Sequence, residues 1–394
     1  YIMFNKGELL QKEAILNKFI CKYQLRHLEK YQTPLTISFL VTNQCNLNCK
    51  HCFNTENAKK DNKDQLSLQE YQKLADSMGF FTSGLFCGGE PFIRKDLADI
   101  ILLFQNKCNM QWASTTTNGQ LMDVIISQTE KICSNDPNKI FVLNFSLDGF
   151  REHHEWTRGQ GTFDKCVKTI RKANELKKKY NNLQVGIVTT MTTNNEETIS
   201  DFFKYISEEL EPDVISLLLV RQSPRCGTDI KNVKKENYIK ANKTLRELFI
   251  KGKNGKINNP KGYYPLTFYD IIERTLQTEK REFLCYAGVH GVYIDYNGNV
   301  NPCEVLADKN CSDSPILMGN LREYDMDFLK LWNSKQAMEV RQKVNRHNCC
   351  TCCTHETEGI LPSIYFEPNS MFYKERMKKI EYEIRQYQEK GECI

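Results

Sequence analysis

The first half of the chain alternates between two hydrophobic periods, one typical of strands and one typical of helices. Short β-branched or apolar runs predict strands at residues 36–42, 85–87, 112–117, 140–147, 185–191 and 214–220. Between them, apolar residues recur every three or four positions, as at Leu68, Tyr71, Leu74 and Met78. This amphipathic pattern predicts helices near residues 66–79, 95–107, 121–133, 163–179 and 196–210.

The alternation of strand and helix predicts an α/β fold made of parallel β/α units joined by right-handed crossovers. Six strands are too few for a closed eight-stranded barrel, so we expect a partial (β/α)6 TIM-like barrel. Ligands of such folds gather at the C-terminal ends of the strands. Functional residues are therefore expected in the loops that follow the strands.

The rest of the chain divides into four further parts. We expect residues 1–34 to form an N-terminal helix packed on the barrel, with its amphipathic pattern at 9–31. Residues 221–284 read as a helical linker with one helix near 238–250 and an exposed loop at 252–259, and residues 361–394 as a charged helical tail with its helix at 371–390. Residues 285–360 predict a β-hairpin at 292–300, turning at Asn297-Gly298 in a type I′ turn, and a helix at 327–344.

Charge and hydropathy exclude some classes of function. The 54 Lys and Arg residues against 49 Asp and Glu residues give a formal net charge of +5, which is too small to argue for a nucleic-acid partner. No stretch approaches the roughly 20 apolar residues of a membrane span, and residues 1–20 hold no signal-peptide core. We therefore expect a cytoplasmic protein without a membrane span.

The 17 cysteines are unusual, and several of them are clustered. One group comprises Cys45, Cys49 and Cys52, and a second comprises Cys349, Cys350, Cys352 and Cys353. Because the chain is neither small nor evidently secreted, these clusters indicate metal rather than disulfides. Three thiolates on one loop can hold three irons of a [4Fe–4S] cluster and leave the fourth iron open. A zinc knuckle would want a fourth ligand, and His51 is poorly placed between two cysteines to supply it.

The spacing Cys45-x3-Cys49-x2-Cys52 after the first strand resembles that of the radical SAM superfamily. The resemblance implies that S-adenosylmethionine (SAM) chelates the open iron, and that an electron from the cluster cleaves it to a 5′-deoxyadenosyl radical. Companion motifs follow at later strand ends: Cys87-Gly88-Gly89-Glu90-Pro91, Thr117-Asn118-Gly119, Ser146-Leu147-Asp148-Gly149 and Arg158-Gly159.

The resemblance also implies roles for these motif residues. Gly88, Gly89 and Glu90 would receive the methionine amino group, and Asn118 would lie at the ribose. Ser146 and Arg158 would hold the ribose and the carboxylate of SAM, and His51 would lie near the adenine. Asp148 is either part of this site or the cap of the following helix.

Cysteines after the barrel resemble those of the SPASM/twitch extension, a small C-terminal β-hairpin plus helix unit that carries auxiliary iron–sulfur clusters. Only Cys311 lies between Cys303 and the last cysteine group, so one auxiliary [4Fe–4S] cluster is expected and two clusters in all. The implied ligands are Cys285, Cys303, Cys350 and Cys353, with Cys349 and Cys352 as alternates. A structural zinc, which four thiolates satisfy, remains an alternative at this second site.

The substrate is less evident than the cofactors. A peptide or protein side chain, to be crosslinked, epimerised or oxidised, is the first hypothesis, and a small molecule of the sugar or cyclitol type is the alternative. A non-enzymatic electron-transfer protein is disfavoured, because the SAM motifs are intact. Cys226 is a candidate catalytic residue, Arg221 and Arg225 could bind an anionic group, and Cys87 reads as a packing residue. An electron donor such as flavodoxin or ferredoxin is also expected.

Overall fold

The computed structural model describes residues 33–54, 64–221, 224–251, 264–283, 285–307, 316–344 and 353–360. The helices predicted at 9–31 and 371–390, the loop at 252–259, and Cys311, Cys349, Cys350 and Cys352 lie outside these ranges. No helix in the ranges is long and apolar enough to cross a membrane.

Six parallel strands form the predicted half-open barrel, each paired with its neighbour in chain order. They are β1 Thr36–Thr42, β2 Ser83–Gly88, β3 Trp112–Thr117, β4 Ile140–Ser146, β5 Leu183–Met191 and β6 Val214–Leu219. The connecting helices are α1 Leu68–Ser77, α2 Leu97–Lys107, α3 Met122–Asn135, α4 Arg151–Arg158, α5 Thr162–Leu176 and α6 Ile199–Glu209. The predicted α/β fold with an open, mainly parallel sheet is confirmed.

The two faces of this sheet are buried to different degrees. On the outer face, Phe39 of β1 stacks on Phe86 of β2 and on Phe104 of α2, and all three side chains are fully buried. On the other face, alternate residues such as Leu85 and Cys87 are only half-buried. The sheet therefore packs firmly under its helices and leaves its inner face accessible.

The described residues between the barrel and the C-terminal extension form two helices, not the single one predicted: α7 Lys235–Lys251 and α8 Tyr264–Thr278. The buried Arg246 of α7 pairs with Asp270 of α8 through an N–O contact of 2.8 Å. The apolar spacing of Phe268, Ile271 and Ile272, all buried, marks α8 in the sequence, but the Lys- and Asn-rich residues around it obscured the signal.

The predicted hairpin is present as β7 Gly291–Ile294 and β8 Asn299–Asn301, with a third short strand, β9 Gly319–Asn320. The predicted type I′ turn is wrong, because only Gly298 has a positive φ, of 89°. The Asp295 carboxylate accepts hydrogen bonds from the backbone N–H groups of Asn297 (3.1 Å) and Asn299 (2.9 Å). The hairpin is therefore closed by an Asx turn at Asp295 instead of the predicted type I′ turn.

The extension continues the barrel sheet rather than standing apart from it. β7 pairs in parallel with β1, from Thr36 opposite Gly291 to Phe39 opposite Ile294. The result is one nine-stranded sheet in the order β6-β5-β4-β3-β2-β1-β7-β8-β9.

The helix predicted at 327–344 is divided in two. After the short helix α9 Glu304–Ala307, the chain forms α10 Phe328–Trp332 and α11 Lys335–Val344. The break lies at Ser334, whose hydroxyl accepts a hydrogen bond from the N–H of Ala337 at 3.2 Å and so caps the second helix.

Candidate active site

The loop that follows β1 carries Cys45, Cys49 and Cys52 at the C-terminal edge of the sheet. Cys49 is buried, while Cys45 and Cys52 are half-buried. The Leu47 N–H donates to the Cys45 sulfur at 3.4 Å. Burial raises the pKa of Cys45 to about 11 and also raises that of Cys49, so both are thiols until a metal displaces their protons.

Gly88 and Gly89 allow the end of β2 to lie directly against this loop. A Cβ atom would lie 2.3 Å from the Thr42 carbonyl oxygen at Gly88 and 2.1 Å from the Gln44 carbonyl oxygen at Gly89. The backbone of Gly89 donates to Thr42 at 2.9 Å. Close approach of the cysteine loop therefore accounts for both glycines, whether or not a ligand also requires them.

Glu90 is fully buried beside the end of β3. Its carboxylate accepts from the Thr117 hydroxyl and from the Asn118 N–H, each at 2.8 Å, and from the Phe92 N–H at 3.3 Å. Burial raises the pKa of Glu90 to about 7 in spite of these donors.

Asn118 connects the end of β3 to the cysteine loop. Its side-chain nitrogen donates to the Asn46 side chain at 2.7 Å and lies 4.0 Å from the Cys45 sulfur. Its side-chain oxygen accepts from the Gln120 N–H at 3.0 Å. Asn118 therefore lies beside the first cysteine of the loop.

Asp148 and Arg158 form a buried ion pair next to Cys49. The Arg158 Nε atom donates to Asp148 at 2.6 Å, and Nη1 lies 3.8 Å from the Cys49 sulfur. Burial alone would raise the pKa of Asp148, but Arg158 outweighs it and lowers that pKa to about 2. The helix-cap alternative for Asp148 is wrong: α4 has no side-chain cap, and the other Asp148 oxygen accepts from Thr190 N–H at 3.0 Å.

The two remaining predicted residues lie around this pair. His51 Nδ1 is 3.8 Å from the Asp148 carboxylate, and burial lowers the pKa of His51 to about 4. Ser146 is the last residue of β4 and is 9% exposed. The eight SAM-site residues named from the sequence therefore lie at the carboxyl ends of β1, β2, β3 and β4 or in the loops and helix that follow.

A second group of cysteines lines a small cavity in the extension. Cys285, Cys303 and Cys353 share this cavity with His355 and Arg281. Burial raises the pKa of Cys285 and raises that of Cys303 well above its usual value. Of the last cysteine group, only Cys353 lies in the described residues.

The donor set and the packing at both places suit iron–sulfur clusters. Within the described ranges, no three His, Cys, Asp or Glu side chains converge tightly enough to hold a single metal ion. Thiolates that bind separate irons of one [4Fe–4S] cube do not need to converge in this way. Three cysteines of the second group line one cavity, and this common lining suits a shared cluster.

A buried polar network joins this cavity to the barrel, and sequence reasoning missed it. Glu358 accepts hydrogen bonds from Ser38 of β1 and from His355 Nε2, and Arg221 donates to His355 Nδ1. Arg221 also lies 3.8 Å from Glu304, the residue after Cys303. The sequence signals were the run of His and Glu after Cys353 and Arg221 itself, which was expected to bind an anionic group and here lies near the Glu304 carboxylate.

The other residues proposed after the last barrel strand lie close to the cysteine loop. The Arg225 and Cys226 N–H groups donate to the carbonyls of Cys52 and Lys50, each at 3.0 Å. The Cys226 side chain is exposed. Cys87 is half-buried at the end of β2, on the inner face of the sheet.

Comparison with protein families agrees with this geometry. Residues 39–206 match the model of the radical SAM superfamily, and residues 285–354 match that of the SPASM iron–sulfur cluster-binding domain. The chain contains a radical SAM domain and a SPASM domain. A radical SAM domain implies SAM and a [4Fe–4S] cluster, and a SPASM domain implies additional iron–sulfur clusters.

Two solved structures share the fold at low sequence identity. Native anSMEcpe with bound AdoMet and Cp18Cys peptide is 20% identical, with a TM-score of 0.55 over 90% of this chain and 99% of that one. Streptococcus suis SuiB bound to precursor peptide SuiA is 17% identical, with a TM-score of 0.58 over 82% of this chain and 70% of that one.

A curated relative in sequence is the Fe-coproporphyrin III synthase of Methanosarcina barkeri. It is 30% identical over 199 residues, which are 50% of this chain and 46% of that protein. The match thus spans about half of each protein.

Proposed function

We propose that this chain is a radical SAM enzyme that reductively cleaves SAM and abstracts a hydrogen atom from its substrate. The observation that carries the proposal is the meeting of the cysteine loop with Glu90, Asn118 and the Asp148–Arg158 pair at one edge of the sheet. When bound, the reduced [4Fe–4S] cluster supplies the electron that cleaves SAM to methionine and a 5′-deoxyadenosyl radical.

The chain's own residues would bind and orient the two cofactors. Cys45, Cys49 and Cys52 would ligate the first cluster. Arg158, whose Nε is bound to Asp148, can direct its remaining N–H groups towards the cluster thiolate and the SAM carboxylate.

Other residues of the same edge would hold the rest of SAM. Glu90 offers a carboxylate to the methionine ammonium, and its raised pKa would fall once that cation is bound. Asn118 and Ser146 would contact the ribose, and His51, held neutral by burial, would lie near the adenine.

The auxiliary site would hold one [4Fe–4S] cluster on Cys285, Cys303, Cys350 and Cys353, with Cys349 and Cys352 as alternates to the last two. With four protein thiolates this cluster has no open iron. Its role would be to accept the electron left on the substrate radical or to hold the extension in place. A cytoplasmic electron donor of the flavodoxin or ferredoxin type would reduce the first cluster.

We propose a peptide or protein side chain as the substrate. Two structures that share the fold contain a peptide, which supports this choice without identifying the residue modified. The relative named as an Fe-coproporphyrin III synthase favours the alternative of a small molecule.

The test uses the anaerobically reconstituted chain, which should hold about eight irons, four for each cluster. Short peptides encoded beside the gene are synthesised with deuterium at their side-chain and Cα positions. We expect 5′-deoxyadenosine to gain deuterium from the true substrate and not from deuterated sugars. Transfer from a sugar or cyclitol alone would overturn the peptide assignment and support the alternative.

A further inference from the structure

One buried arginine holds both ends of the loop that carries the first three cysteines. Arg94 lies between Glu90 and α2 and is only 6% exposed. Its Nη1 donates to the carbonyl of Val41, near the end of β1, at 2.9 Å. Its Nη2 donates at 2.7 Å to the carbonyl of Leu66, where the chain returns towards α1.

Arg94 is itself held on two sides. The Asp96 carboxylate accepts from Nε at 2.7 Å and from Nη2 at 3.1 Å. The guanidinium lies over the ring of Tyr71, 5.2 Å from its centroid. A planar fork can reach two carbonyls and a carboxylate at once, which the single ammonium of a lysine cannot do.

The SPASM hairpin reaches the second of these loop ends through Tyr296, in the turn between β7 and β8. The Tyr296 carbonyl accepts from the Leu66 N–H at 2.8 Å. In the same turn, a Cβ atom added at Gly298 would lie 3.4 Å from the Leu66 side chain. The hairpin turn therefore contacts the chain where the cysteine loop returns towards α1.

We propose that Arg94 and Tyr296 are positioning residues that set the geometry of the cysteine loop, and that Tyr296 makes this geometry depend on the SPASM domain. The inference rests on the proposed function of Cys45, Cys49 and Cys52 and deepens it. The extension then supports the first cluster site mechanically, in addition to any role of its own cluster.

The first test compares Arg94→Lys with Arg246→Lys, a matched buried arginine–carboxylate pair between α7 and α8. Amide hydrogen exchange of residues 43–54 is followed in the full chain with and without reconstituted clusters. The release of iron to a chelator is also measured. The first cluster is identified by the change in its EPR signal when SAM is added. We expect about tenfold faster loop exchange and iron release in Arg94→Lys only, from the loss of one charged hydrogen bond.

Equal behaviour of the two arginine variants would overturn the role of Arg94. If Arg94→Lys does not fold, Asp96→Asn, which removes the charge that holds the guanidinium, is measured in its place with the same expectation. Loop exchange in the cluster-free chain does not depend on any cofactor, so this measurement tests the role of Arg94 alone. The proposed function is judged separately, by SAM cleavage.

The second test addresses the link to the SPASM domain. Gly298→Ala strains the turn that carries the Tyr296 carbonyl, because Gly298 has a φ of 89° and its added Cβ would lie 3.4 Å from Leu66. We expect loop exchange and iron release to rise about twofold to threefold. The control is Gly161→Ala, at a φ of 74° where an added Cβ meets nothing within 4 Å. If Gly298→Ala behaves like this control, the proposed link to the extension is wrong.

Discussion

The two cysteine sites of this chain differ in what surrounds their sulfur atoms. At the first site, a guanidinium nitrogen of Arg158 lies 3.8 Å from the Cys49 sulfur, and Cys45 and Cys52 are half-buried. At the second site, Cys303 receives the Leu306 N–H at 3.4 Å and Cys353 receives the His355 N–H at 3.3 Å. Apolar side chains, among them Leu306 and Val344, pack around the second group, and Arg281 also lines its cavity.

This difference indicates two roles for the same ligand chemistry. Reduction adds negative charge to a cluster, so a neighbouring cation and access to water favour it, while apolar burial opposes it. Two of the three described cysteines of the second site, Cys285 and Cys303, are buried, whereas at the first site only Cys49 is. A more deeply buried second site fits the proposed cluster that transfers electrons or supports the fold without binding substrate.

The largest expected effect comes from removing the second site. Cys303→Ala should lower the iron content from about eight to about four per chain and suppress the finished product more than about tenfold. Formation of 5′-deoxyadenosine should fall no more than about threefold, because it needs only the first cluster. Product and 5′-deoxyadenosine are quantified together by mass spectrometry. An unchanged yield of product would contradict an electron-transfer role and leave a structural one.

The next largest effect concerns the charge at the first site. Arg158→Ala should cost about 3–5 kcal/mol in the free energy of unfolding, because it leaves the buried Asp148 carboxylate without its partner. The double variant Asp148→Asn, Arg158→Ala should regain most of this loss while still binding SAM weakly. Urea unfolding and SAM titration of the variants measure the two effects. A loss below about 1 kcal/mol in the single variant would mean that the pair is not buried as described.

A smaller effect is expected in the network beside the second site. Glu358→Gln should destabilise the chain by about 1–3 kcal/mol, since an amide cannot accept from both Ser38 and His355 as a carboxylate does. Ser38→Ala, which removes one donor, should cost less. Thermal unfolding and iron retention at the second site are the measurements. If Glu358→Gln loses no stability, the network does not join the extension to the barrel.

The smallest effect is a surface contact between the extension and the barrel. Arg322 donates to Glu70 of α1 at 2.7 Å, and this hydrogen bond lowers the pKa of Glu70 to about 2. The stabilisation is present above the unfolded pKa of 4.5 and is lost as the pH falls from there towards 2. Because both side chains are partly exposed, Glu70→Gln should cost less than about 1 kcal/mol at pH 7 and nothing near pH 2. A difference in urea midpoint that does not shrink on acidification would contradict this.

Much of the barrel follows from local sequence. The predicted strand bounds at 36–42 and 112–117 agree with the structure because β-branched and apolar runs end there at polar or glycine residues. The helix break at Ser334 was missed because the apolar period continues across it, and only the serine cap interrupts the helix.

The contacts between distant segments could not be predicted. The pairing of β1 with β7 and the hydrogen bond from Ser38 to Glu358, which are 320 residues apart, depend on how two domains meet. The cysteine motifs predicted the candidate site because their chemistry is local to short loops. Arg94 was not singled out because it donates to backbone carbonyls, and such contacts leave no pattern of side chains in the sequence.

The central claim is that Cys45, Cys49 and Cys52 form the site where SAM is cleaved. The most direct measurement is 5′-deoxyadenosine formed from SAM and a strong reductant by the chain in which all three are replaced by alanine. We expect no 5′-deoxyadenosine and about four irons remaining at the second site, while Cys226→Ala, at an exposed thiol beside the loop, keeps the cleavage activity. Formation of 5′-deoxyadenosine by the triple variant would contradict the claim.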